Sequence, residues 1–311
     1  MPLTTSRVCV VIGYGSIGAR HARVLESLGC DVHVVSRRGH VYPRSYADIQ
    51  AALSSRAFDY AIVANETSRH AATLRALEAG GFAGTVLVEK PLANPSDQVE
   101  TPVRCVTVVA YQLRFDPMMR KLHELLQGET IVSAEIRACS YLPEWRPHRD
   151  YRLTESASAQ AGGGVLRDMS HELDYALWLL GPWRRVSAIG GRLGRLDIDS
   201  DDSWAVLFET ACCRSVLLSM NYLDRREERW MIVNTERGTI KADIYNRTLA
   251  RNGELLFTGT SADVDQTYVD EDRALLSGDI RDFCSFDEGV AVVKMIDAIE
   301  TASREGRWVT A

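Results

Sequence analysis

The sequence predicts an α/β protein in two parts: a doubly wound parallel sheet over residues 1–117 and a β-rich α+β part over residues 118–311. Three observations carry this. Apolar strand-like runs alternate with helical periodicity through the first third of the chain, as repeated strand–helix units require. The length of 311 residues exceeds what a single hydrophobic core usually serves. After Gly181 the pattern changes to successive strands joined by short turns.

The first strand is VCVVIG (8–13), apolar throughout as a strand buried on both faces should be. SIGARHARVLESLG (16–29) follows with helical spacing, and Gly29 is placed to end that helix. DVHVVSRR (31–38) and DYAIVAN (59–65) read as strands, then a helix over 67–79, then the strands TVLVEKP (85–91) and RCVTVVAYQ (104–112). The second part opens with a helix over 117–127 and the alternating strand IVSAEIRACSYL (131–142). Residues 143–164 lack periodicity, and so long a loop in a compact domain is usually functional or disordered. AGGGVLRDMSHELDYALWLLG (161–181) reads as one amphipathic helix behind three glycines, with Leu166, Met169, Leu173, Ala176, Leu177 and Leu180 toward a core. Strands are expected over 184–193, 203–210, 214–223, 229–244 and 254–259. The last helix begins at a capping box, Ser285 with Glu288, and buries Val293, Ile296 and Ile299.

Composition narrows the function classes. The chain is 46% hydrophobic and 25% charged, with a net charge of −6, which gives no general pull toward nucleic acid or anionic membrane. No apolar run is long enough to span a bilayer. Met1 leads almost directly into the first strand, leaving no room for a signal peptide. Seven scattered cysteines without a CxxC pair fit reduced thiols, hence a cytoplasmic location. No metal site is expected: His171-Glu172 begins like HExxH, but Tyr175 stands where the second histidine belongs.

GYGSIG (13–18) places GxGxxG between a buried strand and a helix, where the pattern has physical meaning. Gly13 makes the tight turn, Gly15 lets backbone approach a pyrophosphate, Gly18 lets helix pack on strand, and the helix N-terminus offers N–H groups to phosphate. An acid at the end of the second strand would bind the ribose 2′-hydroxyl of NAD. Ser36, Arg37 and Arg38 stand there instead, and a hydroxyl with two guanidinium groups suits the 2′-phosphate of NADP. Lys90 lies at the carboxyl end of a buried strand, where open α/β sheets put ligands; the Lys90–Pro91 bond is expected trans on base rate. Asp168, His171 and Asp174, three apart, share one helix face. The glycines before them would keep side chains away from the reacting groups. The loop carries Trp145, Arg146, Arg149 and Tyr151, suited to stacking on a sugar and to holding an anion.

The glycine turn, NETSRH (65–70), VEKPLA (88–93), YQLRF (111–115) and GGGVLRDMSHELD (162–174) together resemble the glucose-fructose oxidoreductase/inositol dehydrogenase/MocA (Gfo/Idh/MocA) family, over nearly the whole chain. The resemblance implies an N-terminal Rossmann dinucleotide-binding domain and a C-terminal α+β domain with a large, mostly antiparallel open sheet. It also implies NAD(P)-dependent chemistry on a carbohydrate or cyclitol derivative, amino and nucleotide sugars included, in a homodimer or homotetramer joined through that sheet. By the same resemblance Lys90, His171 and Asp168 are catalytic. The cofactor would touch Gly13, Tyr14, Gly15, Ser16, Ile17, Gly18, Ser36, Arg37, Arg38, Asn65, Glu66, His70, Glu89, Lys90, Gln112 and Arg114. The substrate would touch Lys90, Trp145, Arg146, Arg149, Tyr151, Asp168, His171 and Asp174. Two departures stand out: Asp168 and His171 are three apart where the family usually has four, and Glu66 stands where it often has proline. The expected protein is therefore an oxidoreductase that prefers NADP, with NAD as the other cofactor. A redox-neutral NAD-dependent glycoside hydrolase and a non-catalytic dinucleotide or sugar sensor are the alternatives.

Overall fold

A computed structural model of the chain describes residues 6–38, 42–260 and 262–311. The first six strands are β1 (Val8–Ile12), β2 (Asp31–Val35), β3 (Ser45–Tyr46), β4 (Tyr60–Val63), β5 (Thr85–Glu89) and β6 (Val106–Ala110). They run parallel in the order β3-β2-β1-β4-β5-β6. The order reverses direction at β1, so the loops after β1 and β4 part and leave a crevice at the carboxyl ends of the strands. The strands are short and apolar because both faces are covered: Cys9, Val11, Val32, Val34, Ala61, Ile62, Leu87 and Val88 are wholly inaccessible. α1 (Ser16–Ser27), α2 (Ile49–Ser55) and α3 (His70–Ala79) lie between them in sequence. Gly29 ends α1 as expected, at φ +85°, with its own N–H on Glu26 O and the Cys30 N–H on Leu25 O, both at 3.0 Å. β3 and α2, of two and seven residues, are too short for periodicity to reveal.

Next come α4 (Pro117–Leu126), β7 (Ile131–Tyr141), α5 (Val165–Asp168), α6 (His171–Leu180), β8 (Trp183–Gly191), β9 (Ser203–Thr210), β10 (Val216–Asn221), β11 (Leu223–Thr235), β12 (Gly238–Asp243), β13 (Thr248–Arg251) and β14 (Glu254–Thr258). The chain ends with α7 (Ala262–Ser277), β15 (Cys284–Ser285), α8 (Phe286–Glu305) and β16 (Val309–Thr310). The second sheet has nine strands in the order β14-β13-β12-β11-β7-β10-β9-β8-β16, antiparallel except for the parallel pair β7–β10. The expected single strand over 229–244 is a hairpin instead, turned at Glu236–Arg237 with Gly238 at φ +147°. One face of the sheet is packed by Ala134, Ile136, Val206, Phe208, Val216 and Leu218, all buried. The opposite face leaves Ile189, Leu207 and Leu217 exposed at 75%, 42% and 47%.

The chain forms two units, and the division is not the single cut after residue 117 that the sequence suggests. One unit runs to Phe115 and regains Asp265–Gly289; the other comprises Asp116–Val264 with Val290–Ala311. The returning segment stays with the first unit because Leu275, Leu276 and Phe283 join the core around β1, β2 and β4, and β15 pairs antiparallel with β6. Each such side chain contributes about 1.5–3 kcal/mol when fully buried.

Candidate active site

The first unit gathers its candidate residues at the carboxyl ends of β1, β2, β4, β5 and β6. Gly13 turns the chain after β1 at φ +100°, and a Cβ there would sit 2.6 Å from the backbone of Ala64 and Asn65. A Cβ on Gly18 would meet Gly13 O at 2.1 Å, so helix and turn touch only because residue 18 is glycine. Gly15 has nothing within 4 Å of its missing Cβ, and it caps α1 without a side-chain bond. Open space over unpaired helix-end N–H groups, with Ser16 and Ile17 in the first turn, fits a pyrophosphate. Tyr14 packs on Tyr42 at 5.6 Å between ring centres.

Ser36 is buried at the end of β2, and its Oγ accepts from Arg38 N at 3.2 Å. Arg37 and Arg38 are exposed, and Arg37 Nη2 donates to Glu66 Oε1 at 3.2 Å. After β4, Asn65 donates to Thr73 Oγ1 at 2.8 Å, while its buried Oδ1 has no partner among the described residues. Lys90 is half-buried past β5, and its bond to Pro91 is cis, against the base-rate expectation. Gln112, past β6, donates to Tyr268 Oη at 3.1 Å.

Three residues expected to touch a cofactor are arranged as supports. The buried ring of His70 lies between two main-chain carbonyls, 3.1 Å from Pro91 O and 3.0 Å from Asn65 O, tying the loops after β4 and β5 together. Burial holds this imidazole below its ordinary pKa, so a neutral ring donates to one of them. Arg114 is buried and donates to Phe283 O and Glu288 Oε1, anchoring the returning segment. Glu89 faces inward: Oε1 lies 3.1 Å from His21 Nε2 and Oε2 accepts from Lys90 N at 3.1 Å. His21, which the sequence did not single out, is fully buried, with Nδ1 3.3 Å from Asp272. Burial opposes its charge, but the carboxylates of Asp272 and Glu89 outweigh that and hold its pKa well above the ordinary value.

The second unit gathers its own candidate residues around α5 and α6. The expected single helix is two, α5 ending at Asp168 and α6 starting at His171, with Met169 and Ser170 between. The polar residues of α6 do not face water: His171, Glu172 and Asp174 are 7%, 0% and 1% exposed. Asp168 is half-buried and accepts from Tyr222 Oη at 2.6 Å. Tyr222 is wholly buried, and burial with the charge of Asp168 pushes its pKa well above the ordinary value, so the phenol remains a donor. Trp145 stands edge-on to that ring at 5.2 Å, with Nε1 donating to Ser140 Oγ at 2.8 Å. The loop aromatic is thus joined through Tyr222 to the acid before α6. Glu172 accepts from Arg229 Nε at 2.6 Å.

The 143–164 loop is ordered by a second loop. Tyr151 Oη accepts from Asp197 N, Ser200 Oγ donates to Ser156 O, and Asp199 N donates to Ala157 O. Arg146 and Arg149 are exposed, Arg149 donating to Leu153 O at 2.9 Å. Two of the three glycines are required by packing within the chain. A Cβ on Gly163 would lie 2.0 Å from Glu155 O, and one on Gly164 2.0 Å from Asp201 Oδ1. Asp201 caps α5 from outside: Oδ2 accepts from Leu166 N at 3.0 Å and from Trp204 Nε1 at 2.8 Å.

A model described as "Oxidoreductase family, NAD-binding Rossmann fold" matches residues 7–110, and the model of the GFO/IDH/MocA C-terminal domain matches residues 119–241. Together they span well over half of the chain. The chain belongs to the Gfo/Idh/MocA family. It is an oxidoreductase with a NAD-binding Rossmann domain, and the hydrolase and sensor alternatives are not favoured.

Solved structures of the Gfo/Idh/MocA fold align over almost the full length. GenD2 from gentamicin A biosynthesis, in complex with NAD, gives a TM-score of 0.80 at 23% identity over 99% of this chain and 97% of that one. Levoglucosan dehydrogenase with NADH gives 0.80 at 17% over 98% and 99%. The WlbA dehydrogenase from Bordetella pertussis, with NADH and UDP-GlcNAcA, gives 0.78 at 17% over 99% of both chains. The sequence matches none of the curated proteins. Among the described residues no cluster of His, Cys, Asp and Glu could hold a metal ion, and no helix is long and apolar enough to cross a membrane.

Proposed function

We propose that the chain is a cytoplasmic, NADP(H)-preferring oxidoreductase that interconverts a hydroxyl and a carbonyl on a carbohydrate or cyclitol derivative. The observation that carries this is that a member of this family has a glycine cradle and Lys90 past the end of β5 in one unit, and in the other Asp168 at the end of α5 with His171 at the start of α6. A bound nicotinamide accepts or supplies the hydride at the substrate carbon. His171 exchanges the hydroxyl proton, because an imidazole can take and release protons near neutral pH. Lys90 supplies a cation that stabilises negative charge developing on a substrate oxygen. Asp168, fixed by Tyr222, and Asp174 bind neighbouring hydroxyls or orient the imidazole. Trp145, Arg146, Arg149 and Tyr151 form the outer wall, and the two exposed arginines favour an acidic or phosphorylated sugar. A solved relative in complex with UDP-GlcNAcA lends support to that class, and one in complex with levoglucosan supports a carbohydrate more generally.

Ser36, Arg37 and Arg38 support the NADP preference, each charge-assisted bond to a 2′-phosphate contributing about 1.5–3 kcal/mol. The exposed aliphatic side chains on the second sheet support assembly of copies through that face. Absorbance at 340 nm, followed with NADP or NADPH across a panel of sugars, cyclitols, uronic acids and nucleotide sugars, tests the function. A substrate-dependent change is expected. Glycoside cleavage without net change, or cofactor binding without turnover of any candidate, overturns it.

A further inference from the structure

The expectation of an NADP preference rests on the lack of an acid at the end of β2. In three dimensions an acid is there. Glu66 follows Asn65 past the end of β4, and it reaches the turn that follows β2. Its Oε1 lies 3.2 Å from Arg37 Nη2 and its Oε2 3.9 Å from Arg69 Nη1. β2 and β4 are the two neighbours of β1, so this pair sits beside the Gly13–Gly18 cradle, at the edge where a Rossmann sheet receives the adenosine ribose.

We propose that Glu66 sets nucleotide specificity: it is the exchangeable counter-ion of Arg37, and the 2′-phosphate of NADP(H) takes its place. This deepens the dinucleotide-dependent reading above and rests on it. The pair is suited to exchange. The side chains of Arg37 and Glu66 are 69% and 37% exposed, and an ion pair so open to water adds little stability. Arg37 and Arg69 set two positive charges against the one carboxylate, and Arg38 follows Arg37 in the chain, which leaves an excess of positive charge for a phosphate monoester of about −2. Without that phosphate, Glu66 keeps Arg37 compensated while a dinucleotide with a free 2′-hydroxyl is bound. With it, the carboxylate must give up the guanidinium and also repels the arriving anion. Glu66 therefore narrows the advantage that the arginines confer on NADP(H), which keeps NAD(H) usable.

The test is equilibrium titration of NADPH and NADH fluorescence at low ionic strength with the wild-type protein, Glu66→Gln, Arg37→Ala and the double variant. No substrate is needed. Glu66→Gln is expected to lower the Kd for NADPH roughly three- to ten-fold and to change that for NADH by less than about two-fold. Arg37→Ala is expected to weaken NADPH selectively, and in its background Glu66→Gln should gain nothing. An unchanged NADPH Kd in Glu66→Gln overturns the proposal, as does an equal gain for both nucleotides or a gain that persists without Arg37. Selective loss of NADH binding in Glu66→Gln would instead assign the carboxylate to the ribose hydroxyl, and also overturns it. The NADP preference is read separately from the wild-type ratio: equal wild-type constants refute that preference, while a selective, Arg37-dependent gain in Glu66→Gln still upholds the role of Glu66. Binding of neither nucleotide by any of the four proteins overturns both.

Discussion

A carboxylate that orients an imidazole or a sugar hydroxyl has to be held in one rotamer, and Asp168 is held by the buried phenol of Tyr222. Tyr222→Phe keeps the ring against Trp145 and removes only the donor. A hydrogen bond to a charged group contributes about 1.5–3 kcal/mol, so kcat is expected to fall roughly ten- to hundred-fold. Steady-state kinetics of this variant with the substrate found in the panel, set against the Kd of the nucleotide, provide the check; nucleotide affinity should be untouched. His171→Ala and Lys90→Ala should each lower kcat by about 10²–10⁴, the usual cost of losing a general acid–base or an oxygen-stabilising cation, again without loss of nucleotide binding. Single-turnover rates at the wild-type level in either variant remove that residue from the mechanism. Tyr222 lay outside the sequence reading because nothing in YLDRRE marks one aromatic of an alternating strand as the partner of an acid 54 residues earlier.

At the scale of the element, the start of α5 depends on a position with no side chain. Gly164 is at φ +118°, and the Asp201 carboxylate fills the space of its Cβ while capping the helix. Gly164→Ala is both strained in backbone and in collision with Asp201. It is expected to cost about 1–3 kcal/mol or more, seen as a lower urea midpoint and Tm, while Asp201→Ala should cost about 1 kcal/mol through the lost cap. A Gly164→Ala protein as stable as wild type would contradict this account. The strands β1, β2, β4, β5 and β6, the end of α1 at Gly29 and the Ser285–Glu288 cap of α8 were legible because each follows a local rule of burial or capping. α7 was not, since its buried positions include Thr267, Glu271 and Asp272, and acids on the inner face erase the apolar stripe by which a helix is read. The break between α5 and α6 was hidden for a related reason. The apolar spacing runs straight through it, and the polar residues expected on a separate face are themselves buried.

Across the whole molecule, buried charge couples stability to pH. His21, Glu271 and Asp272 all have pKa values raised in the fold, His21 by its carboxylate partners against the pull of burial, the two acids mainly by burial. A group with a raised pKa adds stability that is complete below its unfolded value and is lost as pH rises through its folded value. Stability should therefore decline on the alkaline side, from about pH 6.5 upward for His21. His70, lowered by burial, acts in the opposite sense and weakens the fold as pH drops below that value. Calorimetric Tm against pH checks this, and Asp272→Asn, which removes a partner that raises His21, should flatten the alkaline fall. A Tm that keeps rising toward pH 9 would count against it. The exposed face of the second sheet carries the other prediction at this scale. Leu207 and Leu217 are paired across β9 and β10, and Leu207→Asp with Leu217→Asp should convert the expected homo-oligomer to monomer in light scattering.

The late return of residues 265–289 to the first unit bears on the order in which the protein can be made. Synthesis delivers β1 to β6 early, yet the side chains that close their core, Leu275, Leu276 and Phe283, and the strand that covers β6, emerge only after the entire nine-stranded sheet apart from β16 has been translated. A nascent chain halted before Asp265 exposes the apolar floor of the nucleotide domain together with an uncovered sheet edge. Folding on the ribosome thus runs against the usual sequence of first domain first. The half of the enzyme that binds dinucleotide is completed only once residues up to Gly289 have been made.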